Sequence, residues 1–182
     1  SDVCSSDLGE YTYGEGDTVL TIDYDYEIMK YEVTNVQYAE FLIEANDIKL
    51  LIDPWTKGRV FNNSWELLVP SVFDDYSGID YIWLSHEHPD HFSPPILAAI
   101  PEEIRQSITV LFQETDDKRV ITFCQKLGFK VQEVPDGARV RLGRDFHVTV
   151  GKVPFYDSWL LVEADGKRLF NINDCVVDKQ AI

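Results

Sequence analysis

The sequence predicts an α/β protein on three observations. Between residues 79 and 134, apolar runs of strand length alternate with segments of helical periodicity, the order of a parallel sheet with crossover helices. Beyond "PDGAR" the helical period disappears and strand-like runs follow one another, as in a meander. The chain has 182 residues, 45% of them hydrophobic, enough for one domain with a core, and no apolar run approaches the ~20 residues of a membrane span.

Each element has a local reason. "TVLTIDYDYEIM" (18–29) alternates as a strand, and Thr34 is placed to N-cap a helix through about Glu44. "IDYIWL" (79–84) is a mostly apolar strand. Ser93, two prolines and "ILAAI" read as an N-cap, a proline-led first turn and a short helix. "ITVLF" (108–112) is a second buried strand. A helix is expected from about Asp116 to Leu127, with Val120, Cys124 and Leu127 on its apolar face and Gly128 closing it. "FKVQEV" (129–134) is the third strand. "FHVTV", "SWLLVE" and "RLFNIN" follow, the last two joined by the hairpin turn "ADGKR". In "FHVTV", His147 alternates against Phe146, Val148 and Val150, so it is expected to face away from the core as a surface histidine.

Composition narrows the function classes. A net charge of −16, spread along the chain, argues against nucleic acid as partner, because a phosphate footprint needs clustered Lys and Arg. It suits cation binding, but a solvated acidic surface explains it equally well. Three distant cysteines, Cys4, Cys124 and Cys175, argue for a reducing compartment. No secretory signal opens the chain, so a cytoplasmic location is expected. Oligomeric state is not legible.

Three of the four histidines, His86, His88 and His91, fall within "WLSHEHPDHFSPP" (83–95). Pro89, Pro94 and Pro95 interrupt any helix there, so the cluster lies on a loop launched by a buried strand. H-x-H-x-D-H offers imidazole and carboxylate donors suited to zinc, iron or manganese. Alternate residues of an extended segment project to one side, so His86 and His88 can share an ion, while Asp90 and His91 turn toward a second. A histidine-rich surface turn is the competing account, but it would not need donors so regularly spaced.

"SHEHPDHF" resembles the signature loop of the metallo-β-lactamase superfamily, and the similarity extends from about Ile43 to the end of the chain. "FLIEANDIKLLIDPW" (41–55) fits an early hairpin of that family, and "NINDC" (171–175) fits a later strand end. The resemblance implies a metallo-β-lactamase-type αββα sandwich with metals at one edge. "IDPW", "FNNSW" (61–65), "DSWLL" (157–161) and "NINDC" are similar, more narrowly, to a branch holding CMP-N-acetylneuraminate hydroxylases and UlaG-like lactonases.

The implied activity is hydrolysis of an ester, lactone, amide or phosphoester bond in a small molecule by metal-activated water. The implied cofactor is one or two Zn(II) ions, with Fe or Mn as alternatives. His86 and His88 would hold the first ion, Asp90 and His91 the second, and Asp174 would bridge, with His86, His88 and Asp90 as the catalytic set. Asp53 would support the loop from behind. Asn62, Asn63, Trp65 and Tyr156 are candidates for a substrate pocket, with packing favoured for Trp65 and Trp159. A second expectation is a metal-binding domain of a hydroxylase-like iron oxygenase, beside a Rieske-type module whose cysteine–histidine pairs do not occur here. A third is an inactive fragment that keeps the metal loop.

Departures from the family pattern matter. Where a third histidine is expected, the chain reads "KVPFYDSW", with Phe155 and Tyr156 in its place, and Asp157 is the candidate substitute. The chain ends eight residues after Asp174, short of the family's last histidine ligand, so the domain is expected to be truncated there and the second ion under-liganded. At the other end, "YEIMKYEVTNVQYAEFL" (26–42) resembles the opening of a formylglycine-generating domain, without its catalytic cysteines. "SDVCSSDL" (1–8) resembles a translated sequencing adapter. The expected organisation is therefore three pieces, 1–8, 9–42 and 43–182, joined in a chimera.

Overall fold

In a computed structural model of the chain, residues 42–67, 73 and 75–175 are described, together with the backbone strands at 3–6, 9–13, 18–22 and 26–29. The chain divides into two compact units, 1–34 and 35–182. In the first, β1 (Val3–Ser6) pairs antiparallel with β4 (Tyr26–Met29), and β2 (Gly9–Tyr13) with β3 (Thr18–Ile22). The single strand expected over 18–29 is thus two strands with different partners.

In the second unit, β5 (Leu42–Ala45) and β6 (Ile48–Ile52) form an antiparallel hairpin. Its two turn residues, Asn46 and Asp47, have φ of 52° and 62°. This left-handed pair is the one that Asn and Asp tolerate best and that matches strand twist. The helix expected from Thr34 to Glu44 is corrected at its end, because cross-strand pairing with β6 makes Leu42 to Glu44 a strand; its positions 34–41 lie outside the described residues.

β6 begins the parallel part of a five-stranded sheet, ordered β11-β10-β9-β6-β5 with β9 (Tyr81–Leu84), β10 (Thr109–Gln113) and β11 (Lys130–Val134). The crossover between β9 and β10 carries α1 (Pro94–Ala99) and α2 (Glu102–Arg105), and the next carries α3 (Arg119–Lys126). A second sheet is the antiparallel meander β12 (Arg139–Gly143), β13 (Phe146–Val153), β14 (Asp157–Ala164) and β15 (Lys167–Asn171). A small hairpin, β7 (Arg59–Val60) with β8 (Trp65–Glu66), lies between β6 and β9 in sequence.

Period-two alternation divides the core into two layers. Leu51, Ile82, Leu84, Val110 and Phe112 face the helices, where they meet Ile96, Leu97, Ile100, Val120, Ile121 and Cys124. Their neighbours Leu50, Ile52, Trp83 and Leu111 face the other way, onto Phe146, Val148, Val150, Leu160 and Val162 of the meander. Each such side chain contributes about 1.5–3 kcal/mol by leaving water, so the alternation is what holds helices, sheet and meander as three layers. Among the described residues no helix covers the outer face of the meander. There the Trp159 ring lies over Gly151, where a Cβ would land inside the indole, and meets Phe170 edge-on at 5.4 Å. Packing is therefore the role of Trp159, as expected.

Three local expectations shift. α3 starts at Arg119 rather than Asp116, because the Asp117 carboxylate accepts the Arg119 N–H and the Asp117 carbonyl accepts the Thr115 hydroxyl. Ser93 sits at the N-cap of α1, but its side chain makes no capping bond; only its carbonyl accepts, from Ile96 and Leu97. β12 has no counterpart in the sequence reading, since arginines at 139 and 141 obscure the inward Val140 and Leu142.

Candidate metal centre

The centre begins where β6 ends. The Asp53 N–H donates to the Trp83 carbonyl at 3.0 Å, so the main chain stays laced to β9 while φ turns to +42° and directs the carboxylate beneath the next loop. That carboxylate is 2% exposed. Its Oδ1 accepts the Ser85 N–H at 2.8 Å, and its Oδ2 accepts the Ser85 hydroxyl at 2.7 Å and contacts His91 Nδ1 at 3.0 Å. The Ser85 carbonyl is held in turn by Gln113 Nε2 at 3.2 Å and by the Ser158 hydroxyl at 2.7 Å. The first residue of the loop is thereby fixed from β6, β10 and β14 together.

The loop then folds on itself, with the N–H groups of His91 and Phe92 both donating to the His88 carbonyl. His86 is buried, and its Nε2 faces His88 Nδ1 at 2.7 Å. Its Nδ1 is surrounded by the Ser85 hydroxyl at 3.0 Å, Asn173 Nδ2 at 3.2 Å and Asp157 Oδ1 at 3.4 Å. His91 is also buried. With Nδ1 on Asp53, its Nε2 points to Asp174 Oδ2 at 3.3 Å and Asp90 Oδ2 at 3.5 Å.

Two donor groups result, His86–His88–Asp174 and Asp90–His91–Asp174, each with its ligand atoms within 4.8 Å of one another. Asp174 belongs to both, the position the sequence reading expected of a bridging carboxylate. Burial, with the charges of His91 and His88 beside it, lowers the pKa of His86 despite the nearby Asp157. Burial acts the same way on His91, but the hydrogen bond and charge of Asp53, joined by Asp90 and Asp174, override it and raise His91 to about 9.

The residues fit a cation. Asp90 Oδ1 is buried without a hydrogen-bond partner among the described residues, and a carboxylate oxygen left that way is costly unless a cation lies against it. Imidazole nitrogens with carboxylate oxygens are the donor chemistry of zinc, iron and manganese. The orienting bond from Asp53 to His91 is the usual support of a metal-ligating histidine.

The remaining candidates fall in different places. Asp157 lies on the Nδ1 side of His86, opposite the nitrogen that faces His88, and outside both donor groups; there it accepts the Ser158 N–H at 2.7 Å and Asn173 Nδ2 at 3.0 Å. Asn62 and Asn63 are exposed, with φ of 54° and 66°, and form the tip of the β7–β8 hairpin. Trp65 is 57% exposed and meets Phe61 edge-on, and the Phe61 ring stands 6.3 Å from His88. Tyr156 is 60% exposed. Ser85, Gln113, Ser158 and Asn173 were not singled out by sequence. Of these only Gln113 carries a local signal, an amide closing the mostly apolar run "ITVLFQ".

Comparison with known proteins bears on this arrangement. The family described as a beta-lactamase superfamily domain matches residues 32–177. The chain belongs to the metallo-β-lactamase superfamily. In the superfamily's terms the three layers above are part of its αββα sandwich, and the loop 86–91 carries the His/Asp cluster that could hold a metal. The chain is 28% identical over 158 residues to cytidine monophosphate-N-acetylneuraminic acid hydroxylase of Xenopus laevis, covering 79% of this chain and 26% of that protein. It is 33% identical over 162 residues to a putative Rieske 2Fe-2S iron-sulfur protein of Mycobacterium tuberculosis, covering 79% of this chain and 30% of that one. The chain thus spans between a quarter and a third of these relatives. The metallo-β-lactamase fold protein YhfI of Bacillus subtilis shares the fold, with a TM-score of 0.52 and 16% identity over 76% of this chain and 55% of that one. Among the described residues, no helix is long and apolar enough to cross a membrane.

Proposed function

We propose that this superfamily domain holds iron for a hydroxylase-type oxygenase acting on a small molecule. The observation that carries the reading is the donor set His86–His88–Asp174. Two histidines and one carboxylate, with Asp157 turned to the far side of His86, form the ligand type of non-haem iron oxygenases, which leave positions open. Relatives named as a hydroxylase and as a Rieske iron–sulfur protein support it. Iron bound here would supply one-electron chemistry toward dioxygen. The chain's own residues do the rest. Asp53 fixes the tautomer of His91, Asp157 and Asn173 fix the ring of His86, and Ser85 holds the loop at its strand. Electrons would come from a Rieske-type module outside this chain, in a reducing, cytoplasmic setting that suits the free thiols Cys124 and Cys175.

The second reading is a zinc-dependent hydrolase, favoured by the second donor group Asp90–His91–Asp174, where a further ion would help to activate water. One experiment separates the two. Metal-free protein is loaded anaerobically with Fe(II), exposed to nitric oxide and examined by electron paramagnetic resonance. An oxygenase-type centre gives a half-integer-spin iron–nitrosyl signal that disappears in His88→Ala and Asp174→Ala. Failure to retain iron, with zinc-loaded protein turning over an ester, lactone or phosphoester, would sink the iron reading and leave the hydrolase.

A further inference from the structure

Beside the metal loop, the C-terminal end of β10 and the end of β13 frame a cleft of about 630 Å³ whose walls include Glu114, Asp116, Lys118, Lys152 and Tyr156. Its size falls in the range of small-molecule sites, roughly 300–1,000 Å³. Tyr156 also borders a recess of about 70 Å³ shared with Glu87, the residue between His86 and His88, so the cleft adjoins the metal loop.

The backbone of Tyr156 is strained, with φ of +66° in a bulky residue, a conformation that persists only where the surroundings impose it. What imposes it is Gln113. That side chain is 1% exposed and donates to the Tyr156 carbonyl at 2.5 Å as well as to the Ser85 carbonyl. One buried amide therefore fixes both the start of the metal loop and the backbone that presents the tyrosine. The residue it presents is 60% exposed.

We propose that this cleft is the ligand subsite of the centre and takes an uncharged, hydroxyl-rich ring, with Tyr156 as the platform beneath it. The inference rests on the reading above only for its meaning as a substrate subsite. The walls carry two carboxylates, Glu114 and Asp116, and two ammonium groups, Lys118 and Lys152, so neither sign of charge predominates. Together they match hydroxyl groups, which donate to carboxylates and accept from ammonium groups. Lys118 keeps this capacity although it pairs with Glu133, because an ammonium has further donors. An exposed phenol face covers the C–H side of such a ring while its hydroxyl stays wet.

The test is a titration of the ¹⁵N-labelled full chain, zinc-loaded and metal-free, with N-acetylglucosamine, methyl glucoside and inorganic phosphate. Saturable amide shifts with the sugars in 114–118 and 152–156 are expected. Tyr156→Asn keeps a residue that tolerates positive φ and should weaken binding by roughly fivefold or more, the loss of about 1 kcal/mol of aromatic contact. Phe170→Ser, on an exposed aromatic of the meander's outer face, should leave it unchanged. No saturable shift, sugar shifts that persist in Tyr156→Asn, or saturation by phosphate instead would each overturn the proposal. Sugar binding without iron retention would refute the oxygenase reading alone, and iron retention without sugar binding would refute the cleft alone.

Discussion

Asp53 holds three groups of Ser85 and His91 on one buried carboxylate, and its removal leaves the Ser85 N–H without its acceptor and His91 without its orienting bond. Asp53→Asn keeps the volume and loses the charge. Its metal affinity, read by competition with a chromophoric chelator, should fall by about 10–100-fold. His91 makes the metal-free protein pH-sensitive. Its pKa is about 9 when folded and returns to the ordinary histidine value on unfolding, so the folded state binds the proton more tightly. That stability is fully present below pH ~6.5 and is lost as pH rises through about 9, a swing of roughly 3 kcal/mol at most. His86, with a lowered pKa, acts in the opposite sense and erodes stability as pH falls through the ordinary histidine range. Urea unfolding of chelator-treated protein across this range should show decline toward alkaline pH, and a flat profile would refute the His91–Asp53 pairing. Metal-loaded protein should lose this alkaline decline, since the ion takes the place of the proton on His91.

At the scale of elements, β13 and β14 meet through a glycine that admits an indole. Gly151→Ala should cost about 1–3 kcal/mol through overpacking against Trp159, and much less in a Trp159→Ala background, as a double-mutant cycle in urea would show. α3 offers a chemical check of its docking. Burial raises the Cys124 thiol to about 12, so native protein should leave Cys124 unmodified by thiol reagents at neutral pH, with reaction appearing only on unfolding. Most of these elements were legible in sequence because alternation and helical spacing report directly on which face is buried, as in "IDYIWL" and "FHVTV". β12 was not, since its outward arginines mask two inward apolar residues. Nor was the start of α3, where the Asp117 side chain competes locally for the first N–H groups. Both failures come from polar side chains satisfying backbone or solvent at a strand or helix end, where periodicity is too short to register.

For the whole molecule, the ligands of the metal loop could be read because they are adjacent in the chain, and Asp53 because it ends a recognisable strand, whereas most of the other supports could not. Ser85 draws on Gln113 and Ser158, and His86 on Asp157 and Asn173, contacts separated by up to 87 residues that no local pattern encodes. The same dispersion separates metal binding from sheet formation. Metal affinity should be lost in Gln113→Leu to a greater degree than stability, because two loop carbonyls lose their shared donor while the sheets keep their core; calorimetric metal titration beside thermal melting tests this. The meander closes through hairpins between neighbours in sequence, whereas the parallel sheet must bring β6, β9 and β10 together across long crossovers. A centre assembled from both sheets is therefore absent from an early transition state. Binding to it should leave the refolding rate almost untouched and slow unfolding instead, so a loaded chain would gain lifetime against proteolysis rather than speed of folding.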